Sequence, residues 1–450
     1  LRTRRSAGGT ALAAIAASVT LFVSPAQAQG QAQDQSQSQS QSQSQSQNSV
    51  VLPVTSHWQT LADSRHVYVS APGQDSVVAT DHDGQVIKTV EGLDGARGMT
   101  LTADESHLYV ALPEADAIAE IDTVTLTETR RFLTGTDTEP ENLALAGGRL
   151  WFSYQATVFD SGIGSVAVAE TAPSVDLDDN PVWYGKPRLA SSPGAPDRLV
   201  AAESAGAAGM RVYDVASGTA EEIAYTDGVV DVEDLAVTAD GSSAITANGG
   251  TYYHQRWSLP DLTEETGYDT GAYPNAVSIA SDGTVAAGVM ASGDWDIFVY
   301  RPGETAPFRT VSLNYGHMEL LERGVAWVPD GSRLFGTRFP YSGEVVLDII
   351  DDVHKANSDI TLTAPQTHPY GQPVTISGKL TSLVPFPKHK VVTVTRNNEP
   401  LTTVKVKSDG SFHFTDLPAD YMRYPEYVVT YAGDAEHVSG RAAVTVEIVT

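Results

Sequence analysis

Apolar and polar positions alternate along most of this chain in short runs, each closed by a turn of Asp, Gly, Ser or Asn. That period-two texture predicts strands, because an amphipathic helix would repeat its apolar positions every three to four residues. One unit recurs. Between Gly98 and Val110, GMTLTADESHLYV, a short apolar strand (99–101) runs into an acidic turn and a second strand (107–110) leaves it. Related stretches are LAVTADGSSAIT (235–246), AVSIASDGTVAAG (276–288) and VAWVPDGSRLFGT (325–337). Fainter ones are WQTLADSRHVYV (58–69), LALAGGRLWF (143–152) and LASSPGAPDRLVAA (189–202). The residues after the seven turns, Arg65, Ser106, Arg149, Arg198, Ser242, Thr284 and Ser332, lie 41, 43, 49, 44, 42 and 48 residues apart. A period in the forties whose members read as four short strands predicts β-propeller blades.

The two ends of the array complement each other. VVLPV at 50–54 is a lone strand before the first repeat, and the last repeat stops after SRLFGT and GEVVLDII. Pairing 50–54 against 345–349 would close the ring and remove both open edges, which argues for seven blades. Long insertions fall at 175–184 and 315–322, and extra length in a repeat maps to surface loops, often on a binding face. From Ser358 the texture becomes alternating strands with closely spaced Gly, Pro, Asn and Asp turns, a β-sandwich pattern. The fold class is therefore all-β, a seven-bladed β-propeller followed by an Ig-like β-sandwich.

Composition adds a compartment. Arg2, Arg4 and Arg5 precede an apolar run at 11–23, and Ala26-Gln27-Ala28 offers a small-x-small cleavage site. This reads as a secretory signal peptide over 1–28, with Sec or Tat export left open. Residues 29–49 are almost pure Gln and Ser, which cannot bury apolar surface, so a disordered linker is expected there. The propeller then takes 50–355 and the sandwich 358–450. The net charge is −28. Residues 1–49 hold three Arg and one Asp, and 356–450 hold eight Lys plus Arg against nine Asp plus Glu, leaving −29 between them. Such a surface repels phosphate backbones and anionic lipid, so neither nucleic acid nor membrane insertion is expected. The chain has no cysteine, which removes disulfides, thiol nucleophiles and Cys-ligated zinc.

Candidate chemistry sits where the inner strands begin. Counting back seven from the turn acids Asp104, Asp240, Asp282 and Asp330 leads to Arg97, Glu233, Asn275 and Arg323. Aligned positions elsewhere are Glu141, Lys186 and Ser56 beside His57. All are polar while the strands after them are mostly apolar, the pattern of a polar ring at the mouth of an apolar channel. Trp183, Tyr184, Tyr273, Tyr315 and His317 approach the same rim and would suit a sugar or peptide. His317 and Glu319, with Glu233, form the one grouping that hints at acid–base catalysis, the basis of an alternative reading as a metal-dependent lyase or hydrolase. Asp176, Asp178 and Asn180 match the first ligand positions of a calcium loop, but Pro181 and Pro187 stand where Gly and Glu are needed. No HExxH, Walker or GxSxG motif occurs.

The Ala103–Val110 and Ala62–Val69 arrangement of acidic turn and Tyr-Val strand resembles the YVTN-type, surface-layer-like seven-bladed propellers, a WD40-like architecture. YGQPVTISGKL (370–380), DGSFHF (409–414) and YAGDAEH (431–437) resemble the bacterial Ig-like repeats of secreted Gram-positive proteins. The resemblance implies an extracellular binding or adhesion role and specifies no chemistry. The expectation is a secreted or loosely cell-surface-associated, monomeric and non-catalytic protein. It would bind an extracellular carbohydrate, peptide or protein at the central funnel without a cofactor.

Overall fold

The computed structural model describes residues 37–40 and 47–449, apart from 158–159, 172, 179–181, 207, 272, 291–294, 314–318, 340–342 and 420–421. The expected signal peptide, Tyr315, His317 and Asn180 lie outside the described residues.

Five of the seven repeats are pinned at an acidic turn, by Asp63, Asp104, Asp240, Asp282 and Asp330. Asp104 Oδ1 accepts hydrogen bonds from Thr102 Oγ1 (2.6 Å), Ser106 N (3.1 Å) and Ser106 Oγ (2.7 Å), which hold its carboxyl down at about 2. Asp240 repeats the arrangement with Thr238 and Ser242. Asp282 and Asp330 keep the bond to the N–H two residues on, at 2.8 Å in both. These are Asx turns, in which a side chain supplies the acceptor that closes the loop. The next residue must take a left-handed φ, so Gly follows Asp at 241, 283 and 331, while Glu105 adopts φ 56° in the second repeat.

Seven four-stranded antiparallel sheets follow one another along the chain. Their innermost strands are Thr60–Ala62, Met99–Leu101, Leu143–Ala146, Arg188–Ser192, Val232–Val237, Pro274–Ile279 and Glu319–Trp327. Second strands such as Val67–Ala71 are buried throughout, whereas outer ones such as Thr127–Leu133 are almost wholly exposed. The apolar side chains gather into clusters shared by consecutive sheets. Tyr68, Val77 and Ala79 of the first pack on Met99, Leu108 and Val110 of the second. The series runs on until Phe335 and Leu347 of the last sheet meet Val67 and Val69 of the first. A sheet buried on both faces by its neighbours has no stable form alone, so the array folds as one propeller-like unit.

The N-terminal segment completes the last sheet. Gln47–Val51 pairs antiparallel with Val346–Ile350, setting Val50 opposite Leu347, and Leu52 N and Val54 O continue the ladder onto Val345. This is the closure that the unmatched ends predict.

Beyond it, Asp359–Pro365, Val374–Thr381 and Ser411–Asp416 form one sheet, and Glu399–Lys405, Val391–Arg396, Glu426–Tyr431 and Gly440–Thr445 another. The two share a core that includes Ile376, Val392, Phe412 and Tyr427. The tract at 29–49 departs from its expected disorder at two points: residues 47–49 belong to the strand that completes the last propeller sheet, and Gln37–Ser40 adds to the first of these sheets against Asp359–Pro365. Alternating Gln and Ser supply no core, yet their backbone can still satisfy an open strand edge. The junction is packed: Val353, Ala356, Asn357 and Ser358 are buried, Asn357 Nδ2 donates to Thr310 O at 2.8 Å, and Val384 rests on the cluster between sheets six and seven. No helix among the described residues is long and apolar enough to cross a membrane.

Candidate functional site

All seven inner strands contribute to one central cavity of about 280 Å³, whose walls include Leu61, Leu101, Leu143, Leu235, Ile279 and Val325. Asp234 and Arg323 also line it. The polar residues counted back from the turns gather beside this channel.

A belt of hydrogen bonds links each inner strand to the next. Gln59 Oε1 accepts from Met99 N (2.7 Å), and Glu141 O accepts from Gly98 N (3.0 Å). Asn142 Nδ2 donates to Lys186 O (3.3 Å), and Arg188 Nε to Val232 O (3.1 Å). Asp234 Oδ2 accepts from Val277 N (2.8 Å), and Asn275 Nδ2 donates to Leu320 O (2.8 Å). Thr60 Oγ1 meets Thr337 Oγ1, on the second strand of the last sheet, at 2.7 Å and ties the first sheet to the seventh. Arg323 crosses the axis, donating from Nη1 to Asn142 Oδ1 at 3.0 Å.

Local backbone irregularity aims three of these side chains. The register shifts at Val232/Asp234, at Pro274/Ala276 and between Leu320 and Val325, so Glu233, Asn275 and Arg323 all sit at β-bulges. A bulge inserts an unpaired residue and turns its side chain out of the pleat. Arg323 also adopts φ 53°, a left-handed conformation that costs an Arg energy which the surrounding contacts must offset.

Charges pair around the belt. Arg97 is bonded to Glu141, whose carboxylate lies 3.8 Å from Lys186 Nζ and 4.0 Å from Arg188 Nη1. Lys186 also meets Glu139 at 3.0 Å. The Arg97 guanidinium lies 4.7 Å from the Trp58 ring centre and that of Arg188 5.7 Å, two cation–π contacts on one indole. Burial, then the Arg323 charge, pushes the His57 imidazole down to about 3, so it is neutral, and its Nε2 bonds Thr60 Oγ1 at 2.9 Å. Burial and the neighbouring Glu322 carboxylate lift Glu233 to about 7.

A second cavity of about 590 Å³ lies against this layer, lined by His57, Trp58, Arg188, Glu319, Glu322 and Arg323, with Met290, Leu320, Leu321 and Phe339 as its apolar wall. Arg323 lines both cavities.

The sequence places Arg97, Glu141, Lys186, Glu233, Asn275 and Arg323 in this layer, and all are found there. In the first sheet the count from Asp63 stops two residues short, at Ser56, and its neighbour His57 is one short. Trp58 N donates to Ser70 O as Arg97 N does to Ala111 O and Glu141 N to Ser153 O, each at 3.0 Å. The ring position therefore belongs to Trp58, with His57 before it. Trp58, Asn142, Arg188, Asp234 and Glu322 escape the single-register count. Asn142, Asp234 and Glu322 adjoin predicted residues, so a search for polar pairs at strand starts would have found them.

Other expectations are corrected. Trp183 does not face a ligand: it is 1% exposed, packed with Ile163, Leu199 and Tyr213, beneath the Arg211 guanidinium at 4.8 Å. Its backbone bridges Ser161 and folds the insertion back onto the sheet. Tyr273 is exposed, at φ 63°, and lines neither cavity. Glu319 lines the larger cavity and Glu233 stands beside Glu322, but their partnership with His317 lies outside the described residues. Asp176 is engaged by Arg149 and Asp178 is exposed, while no group of three or more metal-ligating side chains converges among the described residues.

Comparison with solved structures sets this architecture among the β-propellers. The chain is similar to Kuenenia stuttgartiensis hydrazine synthase at 16% identity, covering 68% of this chain and 98% of that one, with a TM-score of 0.50. It is similar to the β-propeller domain of Myceliophteria thermophila Cps50 (Swd1) at 12% identity, covering 68% and 99%, with a TM-score of 0.51. A third likeness is to U3-55K, at 12% identity, 68% and 98% coverage and a TM-score of 0.52. At these identities the likeness is one of fold alone. No protein-family model matches the sequence, and no curated protein does.

Proposed function

We propose that this chain is a secreted, non-catalytic binding protein, a seven-bladed YVTN-type β-propeller that takes its ligand at the mouth of the central channel. The C-terminal pair of sheets is read as an Ig-like sandwich serving as spacer or adhesion module. The N-terminal arginines, apolar run and cleavage site support export, and the absence of cysteine is no obstacle to it. One observation carries the binding reading: the 590 Å³ cavity beside the polar belt, where an indole, two guanidiniums and two carboxylates face one open space. A purely structural role would need charges that neutralise one another without a cavity. Charge pairing is present here, and the cavity is present as well.

The test is a screen of the full chain against glycan and peptide arrays, repeated with Trp58→Ala. A bound component whose signal falls with that substitution supports the reading; hits indifferent to Trp58 place the ligand elsewhere and sink it. A second reading, a hydrolase or lyase, draws on Glu233, whose carboxyl burial and the neighbouring Glu322 raise to about 7, where a general acid or base works best. Polymer cleavage abolished by Glu322→Gln would favour that reading over simple binding.

A further inference from the structure

Burying a guanidinium is costly unless a well-placed anion repays the lost hydration. Arg188 and Arg323 are each only 8% exposed, and both direct Nη1 at the same neutral acceptor, Asn142 Oδ1, at 3.2 and 3.0 Å. The carboxylates nearest to them stand off, Glu141 at 4.0 Å from Arg188 and Asp234 at 3.8 Å from Arg323, beyond hydrogen-bond reach. Arg323 Nε and Trp58 Nε1 are buried donors with no hydrogen-bond partner among the described residues, and both side chains line the larger cavity. Burial and the neighbouring Arg188 pull the Arg323 guanidinium down to about 10, so its positive charge is under-compensated. His57 is neutral and adds no charge of its own. The lip of the cavity is opposite in character, with Glu319 and Glu322 exposed there as acceptors.

Resting on the reading that this cavity is the ligand site, we propose that it takes a carboxylate-bearing ligand. The carboxylate lies on Arg188 and Arg323, and hydroxyl or ammonium groups of the same molecule reach Glu319 and Glu322. A planar carboxylate suits the guanidinium fork, which offers two parallel donors. Uronic-acid sugars and peptide C-termini share this chemistry.

Calorimetric titration of the full chain separates the sources and the outcomes. The probes are a diglucuronate and its methyl ester, and tetra-alanine with a free or an amidated C-terminus. Counting only the carboxyl that distinguishes each pair, the free acid is the charged probe and its ester or amide the neutral one. The charged probe of one pair is expected to bind, with its neutral counterpart weaker by roughly 10- to 100-fold, the range for losing a hydrogen bond to a charged group. The pair that discriminates names the source. Arg323→Met should lower affinity for the charged probe by a similar factor and so narrow the gap between the two members of the pair. Should that variant not fold, Arg188→Met and the exposed double variant Glu319→Gln/Glu322→Gln serve instead, the latter weakening the charged probe by about two- to tenfold. Equal affinity for charged and neutral probes, or no binding of either pair, overturns the carboxylate assignment. The cavity itself would still stand if an array hit of another chemistry is lost in Trp58→Ala, and would fall if none is.

Discussion

Glu233 shows how one side chain reports its surroundings. Counted from the Asp240 turn it is one polar residue among seven; in the fold it stands beside Glu322, partly buried, and its carboxyl rises from 4.5 to about 7. Asp296, lifted from 3.8 to about 7 by burial and the Asp348 carboxylate, behaves alike. Between these values the folded chain holds protons that the unfolded chain has released, so stability falls as pH rises through that window. The unfolding temperature should therefore drop between about pH 5 and about pH 8, and Glu233→Gln should make the drop shallower. Thermal denaturation across that range checks this, and superimposable profiles would show that Glu233 titrates as an ordinary carboxyl. Residue identity at the ring was legible because an acidic turn marks five of the seven repeats and the period places the other two. Pairing was not legible: nothing in the sequence indicates that Arg323 reaches across to Asn142, 181 residues away.

At the level of elements, bulges and one close approach set the geometry. Gly98 lets the second inner strand lie against the third; a Cβ there would stand 2.1 Å from Glu141 O, at the bond that brings Arg97 beside Glu141. Gly98→Ala should force the two sheets apart and cost about 1–3 kcal/mol, the usual penalty for overpacking. A denaturant titration measures it, and an unchanged midpoint would mean that the contact is looser than described. Strand periodicity announced each sheet, but the bulges at Glu233, Asn275 and Arg323 carry no sequence mark, since they arise where a strand bends to meet its neighbours. Trp183 misleads for a related reason: an aromatic in a long insertion reads as exposed until the bridge to Ser161 folds it inward.

For the whole molecule, closure is decisive. Residues 47–51 supply the outer strand of the last sheet, and Ser49 Oγ donates to Asp348, which also pairs with the buried Arg338. Deleting residues up to 51 strips that strand and leaves Val346–Ile350 as an open edge. The unfolding temperature should fall by at least about 5 °C, with self-association through the bared strand. Calorimetry and light scattering read both; a deleted chain that stays monodisperse and equally stable would mean that the ring does not depend on its N-terminal strand. The packed junction at Val353 and Ala356, with Val384 on the propeller-like core, ties the C-terminal sheets to the same unit.

By itself the sequence determined the strands, the turns, the period and the fit between the two ends, because alternation and turn chemistry act over a few residues and need no distant partner. The tertiary structure decided which polar residues became partners, that Trp58 and not His57 completes the ring, that Arg188 and Arg323 are buried with too few acceptors, and that a cavity remains beside them. Those outcomes depend on seven separately coded strands converging on one axis. There, a shift of a single residue, or one bulge, changes which charges meet.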